Sequence, residues 1–176
     1  MTSSPEDPLR ATIAAYEGGA RAYAEHSRDR GGLAHLHRRF ATLLQPGARI
    51  LDLGCGPGHD AAKLADLRLN VVGCDPARGL LHEAREHEAL QGRLIAGDGR
   101  QLPFDGESFD GVWACASLLH IPKSQVSGAL SEVQRVLRVG GVLFTSMQEG
   151  IVDGLVATSD ADPLLPRHYT YYVADE

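Results

Sequence analysis

Two carboxylates in this chain close short apolar runs, Asp75 in NVVGCDP and Asp98 in LIAGDGRQLPF, and a third, Asp52, lies within ILDLGCGPG two residues before its first glycine. A carboxylate at the tip of a strand can accept hydrogen bonds from both hydroxyls of a ribose, or from an exocyclic amine such as that of adenine. The glycines beside Asp52 add a second signal. Gly54, Gly56 and Gly58 fall within five residues, directly after the apolar run and before a helical segment. Glycine in that place serves a sharp turn or the close approach of a ligand to the backbone. Asp75 follows Gly54 by 21 positions, a spacing that favours a ribose contact over a simple turn with Pro76. Asp98, taken alone in GDG, reads as turn chemistry; as the third strand end in succession it joins the set.

Glycine spacing separates two classes of ligand. A dinucleotide lies with its diphosphate over GxGxxG, whereas here the third glycine comes one residue earlier, and Asp52 precedes the first by two. Asp52 would repel a diphosphate and would instead hold a cationic amine. A nicotinamide-dependent oxidoreductase is therefore the weaker alternative. Among groups able to move a proton, His120 in ASLLHIP follows a strand-like run, with an ordinary pKa of ~6.5 suited to a general base. A structural role for His120, on cofactor or backbone, fits the sequence equally. Glu149 in SMQEG is a weaker candidate, and His59 beside the third glycine can touch a ligand or simply start a helix. The remaining histidines, His35 and His37 included, lack metal-ligand spacing, so no metal is expected. No serine sits in a GxSxG elbow, which argues against a covalent hydrolase.

Regular elements must hold these groups. From Ala48 the chain alternates apolar runs with helical segments: ARILDL, DAAKLADLR, NVVGC, ARGLLHEAREHEAL, RLIAGD, then FDGVWACAS, SQVSGALSEVQRVLRVG and GVLFTSM. That order predicts an α/β fold with a parallel sheet of about five strands. In the last helix Val126, Leu130, Val133 and Leu137 are expected to face inward. Ahead of the sheet, Ile13, Tyr16, Ala20 and Tyr23 recur at helical spacing through a segment weakened by Gly18 and Gly19, which predicts a bent helix. Leu33, Leu36, Phe40, Leu43 and Leu44 predict a second. A loose tip is expected to about Pro8. After Gly150 the text reads as a loop, a short extended piece and, in YYVADE, the beginning of a helix.

Bulk properties set the outer bounds. With 176 residues and 43% hydrophobic residues the chain is long enough for one domain with a sizeable core. The net charge of −6 gives no basic field for nucleic acid. Cys55, Cys74 and Cys115 are odd in number and widely spaced, which favours a reducing, cytoplasmic setting over a disulfide framework. The polar, acidic start MTSSPEDPLR and the lack of any long apolar window predict neither a secretion signal nor a membrane span.

Taken together, ILDLGCGPG, GCDP, AGDGRQLPFDGESFDGVW and SEVQRVLRVGG, in this order over about residues 12 to 150, resemble the class I S-adenosylmethionine-dependent methyltransferases, of the type acting on small molecules. The resemblance implies a Rossmann-like three-layer sandwich, S-adenosylmethionine as cofactor and a small-molecule methyl acceptor. It also implies a division into an N-terminal helical lid (1–45), a cofactor-binding core (48–150) and an incomplete C-terminal part (151–176). By it, Gly54 and Gly56 pass under the methionine part and Asp52 lies near its amine. Asp75, with Pro76 beside it, binds the ribose, and Asp98 with Gly99 addresses the adenine. The backbone at Cys115 and Ala116 meets the methionine amine. Tyr16 and Tyr23 lie over the cofactor, or pack as ordinary helical core.

Two departures stand out. Val139 takes the place of a proline in RVGG, and the antiparallel hairpin with which the family completes its sheet is absent. The expectation is an exposed apolar edge on the fifth strand, able to pair two copies into a homodimer, and a chain in which binding of the cofactor without turnover is an alternative to catalysis.

Overall fold

The computed structural model describes residues 7–29, 31–156 and 166–173. The five apolar runs form β1 (Arg49–Leu53), β2 (Asn70–Asp75), β3 (Leu94–Ala96), β4 (Phe109–Cys115) and β5 (Leu137–Ser146). They lie in the order β3-β2-β1-β4-β5, each pair parallel. Successive residues leave a strand on opposite faces. Ile50 and Trp113 thus join a core with Phe40 and Leu64, while Leu51 and Val112 join another with Ala129, Val133 and Val136. The helices α3 (Ala34–Thr42) and α4 (His59–Asp66) supply the first core and α6 (Lys123–Val136) the second. This is the expected three-layer arrangement. The strand order reverses direction at β1, the point where such sheets open a crevice for a ligand.

One polar knot lies inside the first core. Trp113 stacks on Phe144 at 3.9 Å and donates its indole N–H to Asp60 at 3.2 Å. His37 of α3 donates to the other oxygen of the same carboxylate at 3.1 Å. The sequence pattern, which put leucines on this face of α3, gave no sign of a buried His37. Leu43, expected inside, is 62% exposed because α3 ends at Thr42.

The bent N-terminal helix is two helices, α1 (Pro8–Gly18) and α2 (Ala20–His26), broken at Gly19. Pro8 belongs to α1 rather than to a loose tip, since Asp7 caps the helix by accepting the Leu9 N–H. The last helix of the core also differs from expectation. Ala129, Val133 and Val136 are its buried residues and Leu130 points outward. Leu137 has left the helix to pair with Phe109, which starts β5 early and turns the inward stripe by one residue.

Beyond Gly150 the expected helix start is replaced by a strand. β6 (Gln148–Glu149), β7 (Asp153–Val156) and β8 (Arg167–Tyr172) form a separate small sheet in the order β6-β8-β7, with β7 and β8 antiparallel. Tyr169, Tyr171 and Tyr172 are therefore strand residues. Their alternation of tyrosine with small or polar neighbours is a two-residue period, which the family resemblance had masked. The end of YYVADE, at 174–176, lies outside the described residues. Among the described residues the main sheet ends at β5, and no helix is long and apolar enough to cross a membrane.

The knot around Asp60 gives a first test. Asp60→Ala orphans two buried donors, His37 and Trp113, and should destabilise the fold by about 2–4 kcal/mol. Urea unfolding followed by Trp113 fluorescence checks it, with little change in midpoint as the contrary result.

Candidate cofactor and active site

All twelve residues that the sequence singles out for the cofactor and for catalysis line one cavity. Tyr16 and Tyr23 come from the lid helices and Asp52, Gly54 and Gly56 from β1 and its turn. Asp75 and Pro76 lie at the end of β2, Asp98 and Gly99 after β3, and Cys115, Ala116 and His120 after β4. The cavity also takes in Leu9, Thr12 and Ile13 of α1 and Leu80 of α5 (Arg78–Ala84). Glu149 lies apart from it, exposed in β6. The cavity holds about 110 Å³, below the ~300–1,000 Å³ usual for small-ligand sites.

The floor is the glycine turn, and its three glycines answer to three different constraints. Each has a left-handed backbone, with φ of 70° at Gly54, 52° at Gly56 and 80° at Gly58. A Cβ on Gly54 would lie 2.4 Å from the Ser117 Cβ, and one on Gly58 would lie 2.7 Å from Leu90. Those two make room for the chain's own side chains. At Gly56 the nearest atoms are Leu80 and Tyr23, both at 3.9 Å and both on the cavity wall, so this glycine leaves its space to the cavity.

Hydrogen bonds tie the turn to β2. The N–H groups of Gly54 and Cys55 both donate to the Cys74 carbonyl, at 2.7 and 3.2 Å. Gly56 donates to one oxygen of Asp75 at 2.9 Å, and Ala77 to the other at 2.8 Å. Each carboxylate oxygen has two lone pairs, so a further acceptor position remains on each. Asp75 is 6% exposed, and burial pushes its pKa up to about 6 against the pull of these two N–H groups. Asp52, also buried, faces the same cavity from β1. Asp98 is held differently. Arg100 chelates its carboxylate at 2.7 to 3.1 Å and also binds Asp7 ahead of α1, which locks the turn after β3 to the lid. Ala116, at the end of β4, adopts φ 51°, a conformation that non-glycine residues rarely take, and donates its N–H to Ser146.

Helices α1 and α2 make polar contacts with the core. Glu17 of α1 accepts the N–H groups of Arg78 and Gly79 at 2.6 and 2.8 Å, capping α5. His59 donates to the Ala24 carbonyl of α2. Tyr16 packs edge-on against Tyr23 and over Ala77 and Leu80.

His120 lies at the centre of a chain of hydrogen bonds. Its Nδ1 lies 2.7 Å from the His168 carbonyl, which can only accept, so Nδ1 carries the proton. Its Nε2 is then bare and accepts from the Tyr16 hydroxyl at 2.9 Å. Tyr16 in turn accepts from the Arg167 guanidinium at 2.9 Å. Burial lowers the His120 pKa to about 4, so the ring is neutral at physiological pH. Arg167 and His168 come from β8, where the His168 Nε2 lies 3.0 Å from Asp153 and 3.1 Å from Thr170, and its backbone N–H donates to Thr12 of α1. Sequence patterning gave no sign of this contribution. The run RHYTYY carries it, but only the pairing of β8 with β7 turns Arg167 toward Tyr16.

Comparison with known proteins agrees with this geometry. A family model described as a methyltransferase domain matches residues 50–141. The chain is 40% identical over 119 residues to a demethylmenaquinone methyltransferase of Beutenbergia cavernae, covering 65% of this chain and 48% of that protein. It is 31% identical over 128 residues to a sterol 24-C-methyltransferase of Gibberella zeae, covering 69% and 33%. The chain thus spans half or less of the curated relatives it matches. Among solved structures, the DhpI–SAH complex shares the fold over 98% of this chain and 85% of that one, with a TM-score of 0.72 at 18% identity. The glycine turn, the acidic strand ends and the matched family domain lead to one conclusion: the chain belongs to the class I S-adenosylmethionine-dependent methyltransferases.

Proposed function

We propose that this chain binds S-adenosylmethionine in the cavity above β1 and β2 and transfers its methyl group to an oxygen, nitrogen or carbon of a small-molecule acceptor. The observation that carries the reading is Asp75: a buried carboxylate at the end of β2, fixed by the Gly56 and Ala77 N–H groups, with acceptor positions left for the two hydroxyls of a ribose. The relatives support the reaction class, since two of them are methyltransferases named for small lipophilic acceptors.

In this reading the cofactor supplies a sulfonium methyl group open to in-line displacement. The protein's part is to hold, orient and keep water out. Gly54 and Gly56 form the floor under the methionine moiety, with Asp52 and the Cys115–Ala116 backbone near its amine. Asp75 and Pro76 take the ribose and Asp98 with Gly99 the adenine edge, Asp98 sharing its carboxylate with Arg100. Tyr16 and Tyr23 cover the top from α1 and α2, within the proposed lid (1–45) over the proposed core (48–150), and β8, within the proposed C-terminal part (151–176), braces them. His120 serves as the proton-handling residue, acting through the Tyr16 hydroxyl that occupies its Nε2.

The outer edge of β5 has no neighbour among the described residues, and Val139 on it is 94% exposed, with Leu143 at 38%. We place a homodimer contact there, by edge-to-edge pairing. Cys55, Cys74 and Cys115 form no disulfide, which suits a reducing, cytoplasmic setting.

Asp75→Ala should weaken S-adenosylhomocysteine binding by roughly 2–4 kcal/mol in calorimetry; an unchanged affinity removes the ribose assignment. Ribose hydroxyls donate best to the ionised carboxylate, so the complex favours loss of the Asp75 proton. Affinity in the unmodified chain should therefore rise as pH rises through about 6 and level off above it, and Asp75→Asn should abolish that step. A pH-independent affinity between about pH 5 and about pH 8 contradicts it. For the edge, Val139→Lys should convert a dimer to a monomer in sedimentation equilibrium, and a monomeric unmodified chain disproves the contact.

A further inference from the structure

The side-chain protons around the cavity are unevenly committed. Tyr16 gives its hydroxyl proton to His120, and Thr12, Ser27, His59 and His120 give theirs to backbone carbonyls. Ser117 lines the same cavity, and its hydroxyl has no hydrogen-bond partner among the described residues. A serine ahead of a helical turn ordinarily accepts a hydrogen bond from one of the N–H groups that follow. Ser117 precedes the short turn Leu118–His120 and makes no such bond. Two backbone features place it instead over the glycine turn. Ala116, with a left-handed φ of 51°, swings the chain aside at the end of β4, a conformation that costs a non-glycine residue stability. Gly54 leaves the space that Ser117 fills, since a Cβ there would lie 2.4 Å from the Ser117 Cβ and 2.7 Å from its hydroxyl oxygen.

We propose that the Ser117 hydroxyl is a cofactor-binding group that donates to the carboxylate at the amino-acid end of S-adenosylmethionine. The inference rests on the reading above that the methionine part lies over Gly54 and Gly56. Charge decides which end of the amino acid Ser117 serves. The ammonium has Asp52 to meet. The carboxylate enters a cavity that already presents Asp52 and Asp75 and that, among the described residues, is lined by no arginine or lysine. A charge taken out of water needs hydrogen-bond donors, and a donor that abandons an existing bond leaves its former partner unsatisfied. Ser117 can give its proton without breaking any bond.

The consequence reaches the chemistry through position. The sulfur of the cofactor stands between its ribose and its amino-acid end, so in-line transfer requires both sides to be anchored. Asp75 holds the ribose side and Ser117 the other. Gly54 and Ala116 then have a shared purpose: one clears the space over the turn and the other delivers the hydroxyl to it.

Calorimetry with three ligands tests the assignment without turnover. They are S-adenosylhomocysteine, its decarboxylated analogue, which keeps the amine, and methylthioadenosine, which has neither group. Ser117→Ala keeps the Cβ that packs over Gly54 and removes the hydroxyl alone. It should weaken S-adenosylhomocysteine binding about tenfold, the loss of a hydrogen bond to a charged group, and leave the other two ligands unchanged. Asp75→Ala, by contrast, should weaken all three, since each carries the ribose. Unchanged binding of S-adenosylhomocysteine by Ser117→Ala overturns the proposal. So does an equal loss for all three ligands, which makes the serine a structural part of the turn, and so does a loss shared with the decarboxylated analogue, which puts the hydroxyl on the amine. Any of these with binding intact in the unmodified chain overturns this proposal alone. Failure of the unmodified chain to bind any of the three overturns the cofactor reading and this proposal with it.

Discussion

The site depends on how the end of β2 holds the turn that follows β1. A chain leaving a buried parallel strand must satisfy its next N–H groups without a ladder partner. Here Gly54 and Cys55 both use the Cys74 carbonyl, and Gly56 uses Asp75. Those bonds force left-handed backbone at Gly54 and Gly56 and aim the turn over the strand ends. They also fix the orientation of Asp75, whose pKa is raised by burial against the pull of the Gly56 and Ala77 N–H groups. The floor of the cavity and its main polar group are thus one hydrogen-bonded unit.

That unit explains how much was legible from sequence. Each feature of it is local: glycines within five residues and an acid at a fixed distance, with the apolar run before each fixing strand ends. The sheet followed for the same reason, because burial on both faces, as at Ile50, Leu51, Val112 and Trp113, is written directly in the continuous apolar runs. What stayed hidden depends on contacts distant in the chain. Tyr16 and Arg167 are 151 residues apart and His120 and His168 are 48 apart, and none of these has a spacing that signals the other. The inward stripe of α6 was misplaced because one residue, Leu137, answers to β4 rather than to its own helix. Buried His37 was missed because its partner, Asp60, is charged, and a charged residue on a helix start reads as solvated.

Helix α3 is held to the core by apolar packing, with Phe40 against Trp113, whereas α1 and α2 combine a small apolar cluster of Ala20, Ala77 and Leu80 with the two tyrosines and a set of polar bonds. Those bonds are Glu17 on the start of α5, His59 on Ala24, Arg100 on Asp7, and the Tyr16–His120 and Thr12–His168 contacts. Such contacts are directional and individually modest, about 1 kcal/mol each when neutral. β8 adds to them, since it carries Arg167 and His168 to the same helix.

The central claim is that the cavity above the glycine turn is a site for S-adenosylmethionine rather than for a dinucleotide. Calorimetric titration of the purified chain with S-adenosylhomocysteine and, in parallel, with NADH tests it most directly, with native mass spectrometry to detect any ligand carried through purification. The account predicts one S-adenosylhomocysteine bound per chain and no heat from NADH. Saturable NADH binding with none of S-adenosylhomocysteine would contradict it.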